Sequence, residues 1–116
     1  MLVATPIGNL GDFSPRGAEA LARADLVLCE DTRMTARLLA DRGISVRTEA
    51  LHEHNERQRV PNLIRRLSEG AQIALVSDAG MPLLSDPGFR LTRAAIDADI
   101  PVTVVPGPNA ALTALV

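Results

Sequence analysis

The stretch VPNLIRRLSEGAQIALVSDAG (residues 60–80) contains one complete helix-to-strand unit. Its first apolar residues recur at i, i+3, i+4 and i+7, the spacing of one face of a helix: Val60, Leu63, Ile64 and Leu67. Gly70 stands where such a helix would end, and we place Pro61 in the first turn. The uninterrupted apolar run at residues 73–76 then predicts a strand that is buried on both faces, as in a parallel sheet.

The same alternation of helix and strand signals extends in both directions from this stretch. We predict four further strands, at residues 2–4, 26–29, 46–51 and 102–105. Helices are predicted to begin at Ser14-Pro15, to span residues 34–42 with Gly43 as the C-cap, and to begin at Asp86-Pro87 and Asn109. Two of these helices have short apolar faces, formed by Ala18, Leu21 and Ala22 and by Leu91, Ala94, Ala95 and Ala98. Successive βα units predict one α/β domain, with a mainly parallel sheet of about five strands and flanking helices.

The composition limits the class of protein. A chain of 116 residues with 47% hydrophobic and 22% charged residues has room for one globular domain. The net charge of -2 gives no overall attraction to a polyanion, so any nucleic-acid contact must be local. Cys29 is the single cysteine and lies in an apolar run, which indicates a buried thiol in a reduced, cytoplasmic protein. No apolar run approaches the length of a membrane span, so we expect no membrane partner.

The segments that follow the predicted strands carry the unusual chemistry. In an open parallel sheet, ligands bind beyond the carboxyl ends of the strands. The segments there, at residues 5–12, 30–33, 77–88 and 106–110, are rich in glycine, proline and carboxylates. The first offers only Gly8 and Gly11, not the spacing of a dinucleotide fingerprint, and none contains the lysine of a phosphate-binding loop. A ligand without phosphates is therefore favoured. S-adenosylmethionine (SAM) fits that description, but composition alone does not choose it.

Five segments in order resemble one family. They read ATPIGNLGD (residues 4–12), EDTR (30–33), HEHNE (52–56), SDAGMPLLSDPGFRL (77–91) and PGPNAALTAL (106–115). Together they resemble the ribosomal RNA small subunit methyltransferase I family, within the tetrapyrrole methylase superfamily. The resemblance implies SAM-dependent 2′-O-methylation of a cytidine ribose in 16S rRNA of the small ribosomal subunit.

The resemblance also implies an architecture. The family has two α/β domains with SAM held between them, and the full-length proteins are homodimers. Residues 1–116 look like the amino-terminal domain, with the carboxy-terminal domain absent, since the apolar segment at residues 109–116 has no cap. We expect this chain alone to be inactive.

The cofactor is expected to lie on the segment after the strand at residues 73–76. Asp78 is the strongest candidate there, whereas Asp86 has an alternative role as the N-cap of the next helix. The complete set of expected cofactor-binding residues is Pro6, Gly8, Asp78, Ala79, Gly80, Pro82, Asp86, Pro106, Gly107, Asn109 and Ala110. For the last segment, an ordinary rigid turn is the alternative.

Three carboxylates are candidates for catalysis. Glu30 and Asp31 lie at a strand end, and Asp12 closes the first segment. Such a carboxylate would accept the hydrogen bond or proton of a ribose hydroxyl during its attack on the methyl carbon. The alternative for Glu30 and Asp31 is a solvated turn with a local ion pair. The expected RNA-binding residues are Arg33, Asn9, His52 and His54.

Two other features have plainer interpretations. His52-Glu53-His54 lacks the spacing of a zinc-binding helix, so we expect no metal, and substrate contacts or a structural hydrogen-bond cluster are favoured. Four arginines on or near the helix that follows are expected to form a solvated face, with RNA contact as the alternative: Arg57, Arg59, Arg65 and Arg66.

Two other functions compete with methylation of RNA. One is SAM-dependent methylation of a tetrapyrrole, because the superfamily shares the fold. The other is a non-catalytic α/β module that binds a small molecule. EDTR and HEHNE favour the RNA-modifying branch, because the resemblance associates them with that family.

Overall fold

The computed structural model describes residues 2–6, 15–30, 32–52, 54–77 and 89–104. Its strands are β1 (Leu2–Pro6), β2 (Leu26–Cys29), β3 (Thr48–Ala50), β4 (Ile73–Ser77) and β5 (Val102–Val104). Its helices are α1 (Pro15–Arg23), α2 (Thr32–Asp41), α3 (Glu56–Ser68) and α4 (Phe89–Asp97). Within these ranges, no helix combines the length and the apolar character needed to cross a membrane.

The five strands form one sheet in the order β3-β2-β4-β1-β5. Every pairing is parallel, and β4 lies between β2 and β1. A parallel sheet requires each connection to cross over a face of the sheet, and the four helices provide these crossovers. The predicted α/β fold with a parallel sheet of about five strands is confirmed.

Apolar side chains cover both faces of the sheet. One core cluster combines Leu26, Leu28, Ile73 and Leu75 with buried residues of α3 and α4. The other cluster combines the alternate residues Val27, Cys29, Ala74 and Val76 with buried residues of α1 and α2. Because neighbouring strand residues face opposite sides, one run such as Leu26–Cys29 supplies both cores. The predicted burial of the Cys29 thiol is confirmed.

Some predicted boundaries and faces were wrong. α3 begins at Glu56, so Pro61 lies inside the helix rather than in its first turn. Pro61 is exposed, and proline has no N–H to donate to the carbonyl four residues earlier in the helix. β3 is shorter than the predicted strand at residues 46–51, and α2 begins at Thr32, before the predicted residue 34.

Two alanines assigned to apolar faces are exposed. Gly17 and Leu21 form the buried line of α1, so Ala22 points to solvent about 100° away around the helix. Ala98 lies beyond the last residue of α4. The predicted start of α1 at Pro15 is confirmed. Ser14, Asp86-Pro87 and the segment from Asn109 lie outside the described residues.

Three helices end with the same backbone motif. After α2, the Ile44 N–H donates to Leu39 O (2.8 Å), and Gly43 has a φ of 69°. α3 repeats this with Ala71 N–H to Arg66 O (3.0 Å) and Gly70 at 99°. These are Schellman motifs, in which a left-handed residue turns the chain out of the helix. The predictions that Gly43 and Gly70 end these two helices are thereby confirmed. At the end of α4, Asp99 occupies the same position with a φ of 58°.

Candidate functional site

The carboxyl ends of the strands meet at one edge of the sheet, because all pairings are parallel. Pro6 of β1 pairs with Ser77 of β4, and Cys29 of β2 pairs with Ala50 of β3. The longest connections between described elements, residues 7–14 and 78–88, both start at this carboxyl edge. Ligand sites of open α/β sheets lie at this edge.

The strands β1 and β4 are followed by helices on opposite faces of the sheet, which favours a ligand site between their carboxyl ends. They are neighbours and end at the same level, at Pro6 and Ser77. The helix after β1 packs on the face that holds Val27, whereas the helix after β4 packs on the face that holds Leu28. The helices that follow β1 and β4 therefore lie on opposite faces of the sheet, which is the arrangement that opens a binding crevice.

The structure places one predicted cofactor residue at this crevice. Pro6 is the last residue of β1, and its main chain lies at this edge. The remaining cofactor candidates lie outside the described residues: Gly8, Asp78, Ala79, Gly80, Pro82, Asp86, Pro106, Gly107, Asn109 and Ala110.

The candidate catalytic carboxylate Glu30 lies at the same edge. It directly follows β2, and the pairing of Leu28 with Leu75 puts it level with Ser77 on the neighbouring strand. Its side chain is exposed and therefore accessible to a ligand. Arg33, in the first turn of α2, is also exposed. The rival carboxylates Asp31 and Asp12, and Asn9, lie outside the described residues.

The predicted RNA-binding histidines lie beside each other in the turn after β3. The ring centroids of His52 and His54 are 5.9 Å apart, with the rings inclined at 63°. His52 is half-buried and His54 is exposed. Nδ1 of His52 is buried and makes no hydrogen bond with the described part of the chain.

The side chain of Asn55 holds this turn in place. Its Oδ1 accepts a hydrogen bond from the His52 N–H (2.8 Å), and its Nδ2 donates to Ala50 O (3.1 Å). Asn55 occupies the N-cap of α3 but makes no side-chain bond to that helix. A hydrogen-bond cluster thus forms at this turn around the Asn55 side chain, and His52 contributes its main-chain N–H.

Glu56 connects two helices from inside the protein. It is the first residue of α3 and is buried, with 1% of its surface exposed. Its Oε2 accepts a hydrogen bond from the Leu91 N–H in the first turn of α4 (3.0 Å). Such N–H groups have no partner within their own helix, and a carboxylate there interacts favourably with the helix dipole. This role was not predicted from the sequence, in which an acidic residue at a helix start is the only local signal.

A second unpredicted feature is a group of arginines around Glu49 in the edge strand β3. Arg59 of α3 forms an ion pair with Glu49 and also donates to Ala50 O (3.3 Å). Arg47 Nε lies 3.2 Å from Glu49 Oε2, and Arg66 Nη1 lies 3.9 Å from the same oxygen. Arg59 and Arg66 are half-buried beside Glu49, so the prediction of a solvated face was wrong for these two. Arg57 and Arg65 are exposed as expected.

Within the described ranges, the side chains of His, Cys, Asp and Glu form no group of three or more that could hold a metal ion. The carboxyl edge therefore offers main-chain polar groups, the Glu30 carboxylate and the His52 turn.

Comparison with known proteins identifies the family. The model of the family described as Tetrapyrrole (Corrin/Porphyrin) Methylases matches residues 1–116. The ribosomal RNA small subunit methyltransferase I of Mesorhizobium japonicum is 56% identical over 114 residues, which cover 98% of this chain and 39% of the relative. The protein of that name from Escherichia coli O157:H7 is 53% identical over 114 residues, with 98% and 40% covered.

The predicted resemblance to ribosomal RNA small subunit methyltransferase I is thus confirmed. The chain spans about two fifths of the length of these curated relatives. The family match extends over every residue of the chain. The chain therefore belongs to the tetrapyrrole (corrin/porphyrin) methylase family.

Proposed function

We propose that this chain is part of a SAM-dependent methyltransferase that modifies the ribose 2′-hydroxyl of a cytidine in 16S rRNA of the small ribosomal subunit. The observation that carries the proposal is the similarity to relatives named ribosomal RNA small subunit methyltransferase I, at 48% to 56% identity. The cytidine and its 2′-oxygen come from the family resemblance of the sequence motifs.

The residues at the carboxyl edge suit SAM as the cofactor. When bound, SAM supplies an electrophilic methyl group on a positively charged sulfur. The crevice between β1 and β4 offers main-chain polar groups at Pro6 and Ser77. Acceptors of this kind suit a cationic ligand without phosphates. Asp78 and the other cofactor candidates named above are proposed to complete the site.

Glu30 is our first candidate for the group that contacts the ribose hydroxyl. A carboxylate that accepts the hydrogen bond of this hydroxyl increases its nucleophilicity. Asp31 and Asp12 remain the rival candidates. Most of the rate would come from holding the hydroxyl oxygen in line with the reacting methyl group, which is a matter of position rather than of acidity. Arg33, Asn9, His52 and His54 are proposed to contact the RNA.

The proposal is tested by incorporation of tritiated methyl groups into small ribosomal subunits by the full-length protein. Resistance to alkaline cleavage maps 2′-O-methylation. Glu30→Gln is expected to lower kcat by about 10²- to 10⁴-fold while SAM affinity, measured by calorimetry, stays unchanged. Glu19→Gln, which changes an exposed glutamate of α1, is the matched control and should leave kcat unchanged.

The same assay separates the competing functions. The description of the matched family favours a tetrapyrrole as the second candidate substrate. Methylation of a corrin or porphyrin, or of an RNA base, would refute the ribose assignment. Binding of SAM without any turnover would favour a non-catalytic module.

We further propose that this chain alone does not methylate RNA, that the full-length protein is a cytoplasmic homodimer, and that residues 1–116 form its amino-terminal domain. An isolated half of a cleft leaves the reacting groups open to water and unaligned. Robust methyl incorporation by the 116-residue chain would contradict the first statement. Sedimentation of the full-length protein as a monomer would contradict the second.

A further inference from the structure

The arginines around Glu49 stand out from the other ion pairs because their charges do not balance. We define the β3 arginine patch as Arg47, Arg59 and Arg66 together with Glu49. One carboxylate here serves three guanidinium groups. Two other ion pairs each join one acid to one base: Glu19 with Arg23 and Asp97 with Arg93. The patch therefore carries a local charge of about +2 in a chain whose net charge is -2.

Of these three arginines, Arg59 is the most closely bound to the rest of the fold. Arg59 is tied to both Glu49 and the carbonyl of Ala50, so it joins α3 to the edge strand. Arg66 is 3.9 Å from Glu49, beyond hydrogen-bond distance, and the Arg47 side chain is 73% exposed. The exposed pair of Arg47 therefore contributes little to stability, and the long distance weakens the pair of Arg66. Placing two further cations beside the first also brings like charges together, which the fold alone does not explain.

The unused donors of the patch match a phosphate group. A guanidinium group has five N–H donors in a planar fork, which binds phosphate oxygens two at a time. Arg59 directs one donor to Glu49 and one to Ala50 O, and Arg66 makes no hydrogen bond to Glu49. Glu49, whose side chain is 20% exposed, holds the three groups together without neutralising them.

The patch lies beside the proposed site rather than in it. His52 is the third residue after Glu49, about 10 Å away along an extended chain. The carbonyl of Ala50 accepts hydrogen bonds from both Arg59 and Asn55, so the patch and the His52 turn share one anchor. A polyanion that crosses the carboxyl edge at His52 therefore reaches the arginines within one or two of its backbone units.

We propose that the β3 arginine patch binds the phosphate backbone of the substrate RNA next to the nucleotide that is modified. This inference rests on the proposed function, since it takes RNA as the substrate. In this proposal, β3 and α3 position the RNA through the charge of its phosphate backbone and make no contact that distinguishes one base from another.

The test measures binding of the full-length protein to small ribosomal subunits that lack the modification, across a range of salt concentrations. The double variant Arg47→Ala/Arg66→Ala should weaken binding about 10-fold or more and reduce the slope of log K against log salt by about 1 to 2. KM for the subunits should rise in parallel, while kcat at saturating subunits stays unchanged. Arg47→Lys/Arg66→Lys keeps the charge and should restore most of the salt slope.

Arg23→Ala is the matched control, because Arg23 has the same side-chain exposure, 73%, and also pairs with a glutamate. Equal Kd, KM and salt slope in the double variant and in this control would overturn the inference. If the alanine and the lysine double variants both lose kcat, these arginines stabilise the fold. That outcome would also count against a role of the β3 arginine patch in binding RNA. If the unchanged protein methylates no RNA, the proposed function fails. If the unchanged protein methylates RNA normally and the patch variants have the same Kd, KM and salt slope as the control, only the inference about the patch fails.

Discussion

The two edges of the sheet are closed in different ways. At the amino edge, where helices lead into strands, connections are short and the main chain closes them through Schellman motifs after α2, α3 and α4. At the carboxyl edge, where strands lead into helices, side chains make the decisive bonds. Asn55 holds the turn after β3, and Glu56 holds the start of α4.

This difference shows where the geometry depends on particular side chains. A main-chain motif tolerates most residues, apart from the one that needs a positive φ. A side-chain bond is lost when its residue is replaced. We therefore expect substitutions at the carboxyl edge to cost more stability than substitutions at the amino edge. The proposed site lies at the carboxyl edge, which is the more sensitive of the two.

The largest effect is expected for Glu56→Ala. It removes the acceptor of the Leu91 N–H and opens a cavity at a buried position, so the free energy of unfolding should fall by about 2 to 4 kcal/mol. Urea-induced unfolding measures this loss. Glu56→Gln keeps an acceptor oxygen and the side-chain volume, and should cost less than half as much. A cost below about 1 kcal/mol for the alanine variant would show that Glu56 does not hold α4.

Asn55→Ala should follow, with a loss of about 1 to 2 kcal/mol, because two hydrogen bonds of about 1 kcal/mol each disappear. Asn55→Asp sharpens the interpretation, since it keeps the acceptor for the His52 N–H and loses the donor to Ala50 O. It should therefore cost about half as much. Unfolding in urea is again the measurement. Equal losses in the two variants would mean that only the bond to Ala50 matters.

The fold was predictable from the sequence wherever a run of residues carried its own boundaries. Residues 26–29 form β2 as predicted, because Asp25 and Glu30 flank an apolar run that must be buried. The predicted start of α3 was wrong because proline is common in the first turn of a helix. The signal of Pro61 outweighed the weaker signal of Asn55 and Glu56 in the prediction. The helix instead begins directly after the turn that follows β3, at Glu56.

The candidate site was predictable only in its location. Strand ends could be read from the sequence, and they place Glu30, His52 and Pro6 at one edge. The partners of Glu49 and Glu56 could not be read, because they depend on the register of β3 and on how α3 and α4 pack together. Such contacts join residues far apart in the chain, and no local pattern encodes them.

At the amino edge, Asp25→Ala should cost about 1 kcal/mol. The Asp25 carboxylate accepts a hydrogen bond from the Gln72 N–H (2.8 Å) at an exposed position. The Asp25 N–H donates to Gln72 O (2.7 Å) in return, and this main-chain bond survives the substitution. Asp25→Asn keeps an acceptor and should be nearly neutral. A loss as large as that of Glu56→Ala would break the proposed difference between the two edges.

The smallest effect, and the only stabilising one, is expected for Asp99→Gly. A left-handed φ of 58° strains an L-residue by about 1 to 2 kcal/mol, less for aspartate than for most, and glycine avoids this cost. Glycine also makes the unfolded chain more flexible, which returns roughly 0.5 to 1 kcal/mol of that gain. The aspartate charge lies at the carboxyl end of α4, where the helix dipole disfavours an anion, and its removal adds a further contribution.

The net stabilisation should therefore be about 0.5 kcal/mol, seen as a higher urea midpoint with an unchanged slope. Asp99→Asn isolates the charge, because asparagine tolerates the same backbone conformation. Gly43→Ala and Gly70→Ala test the converse: an added Cβ meets no atom within 4 Å at either position, so the cost of each, about 1 kcal/mol, is conformational. If Asp99→Gly lowers the urea midpoint while the two alanine variants behave as expected, the Asp99 side chain itself stabilises the amino edge. The helix ends at that edge would then depend on side chains as well as on main-chain hydrogen bonds.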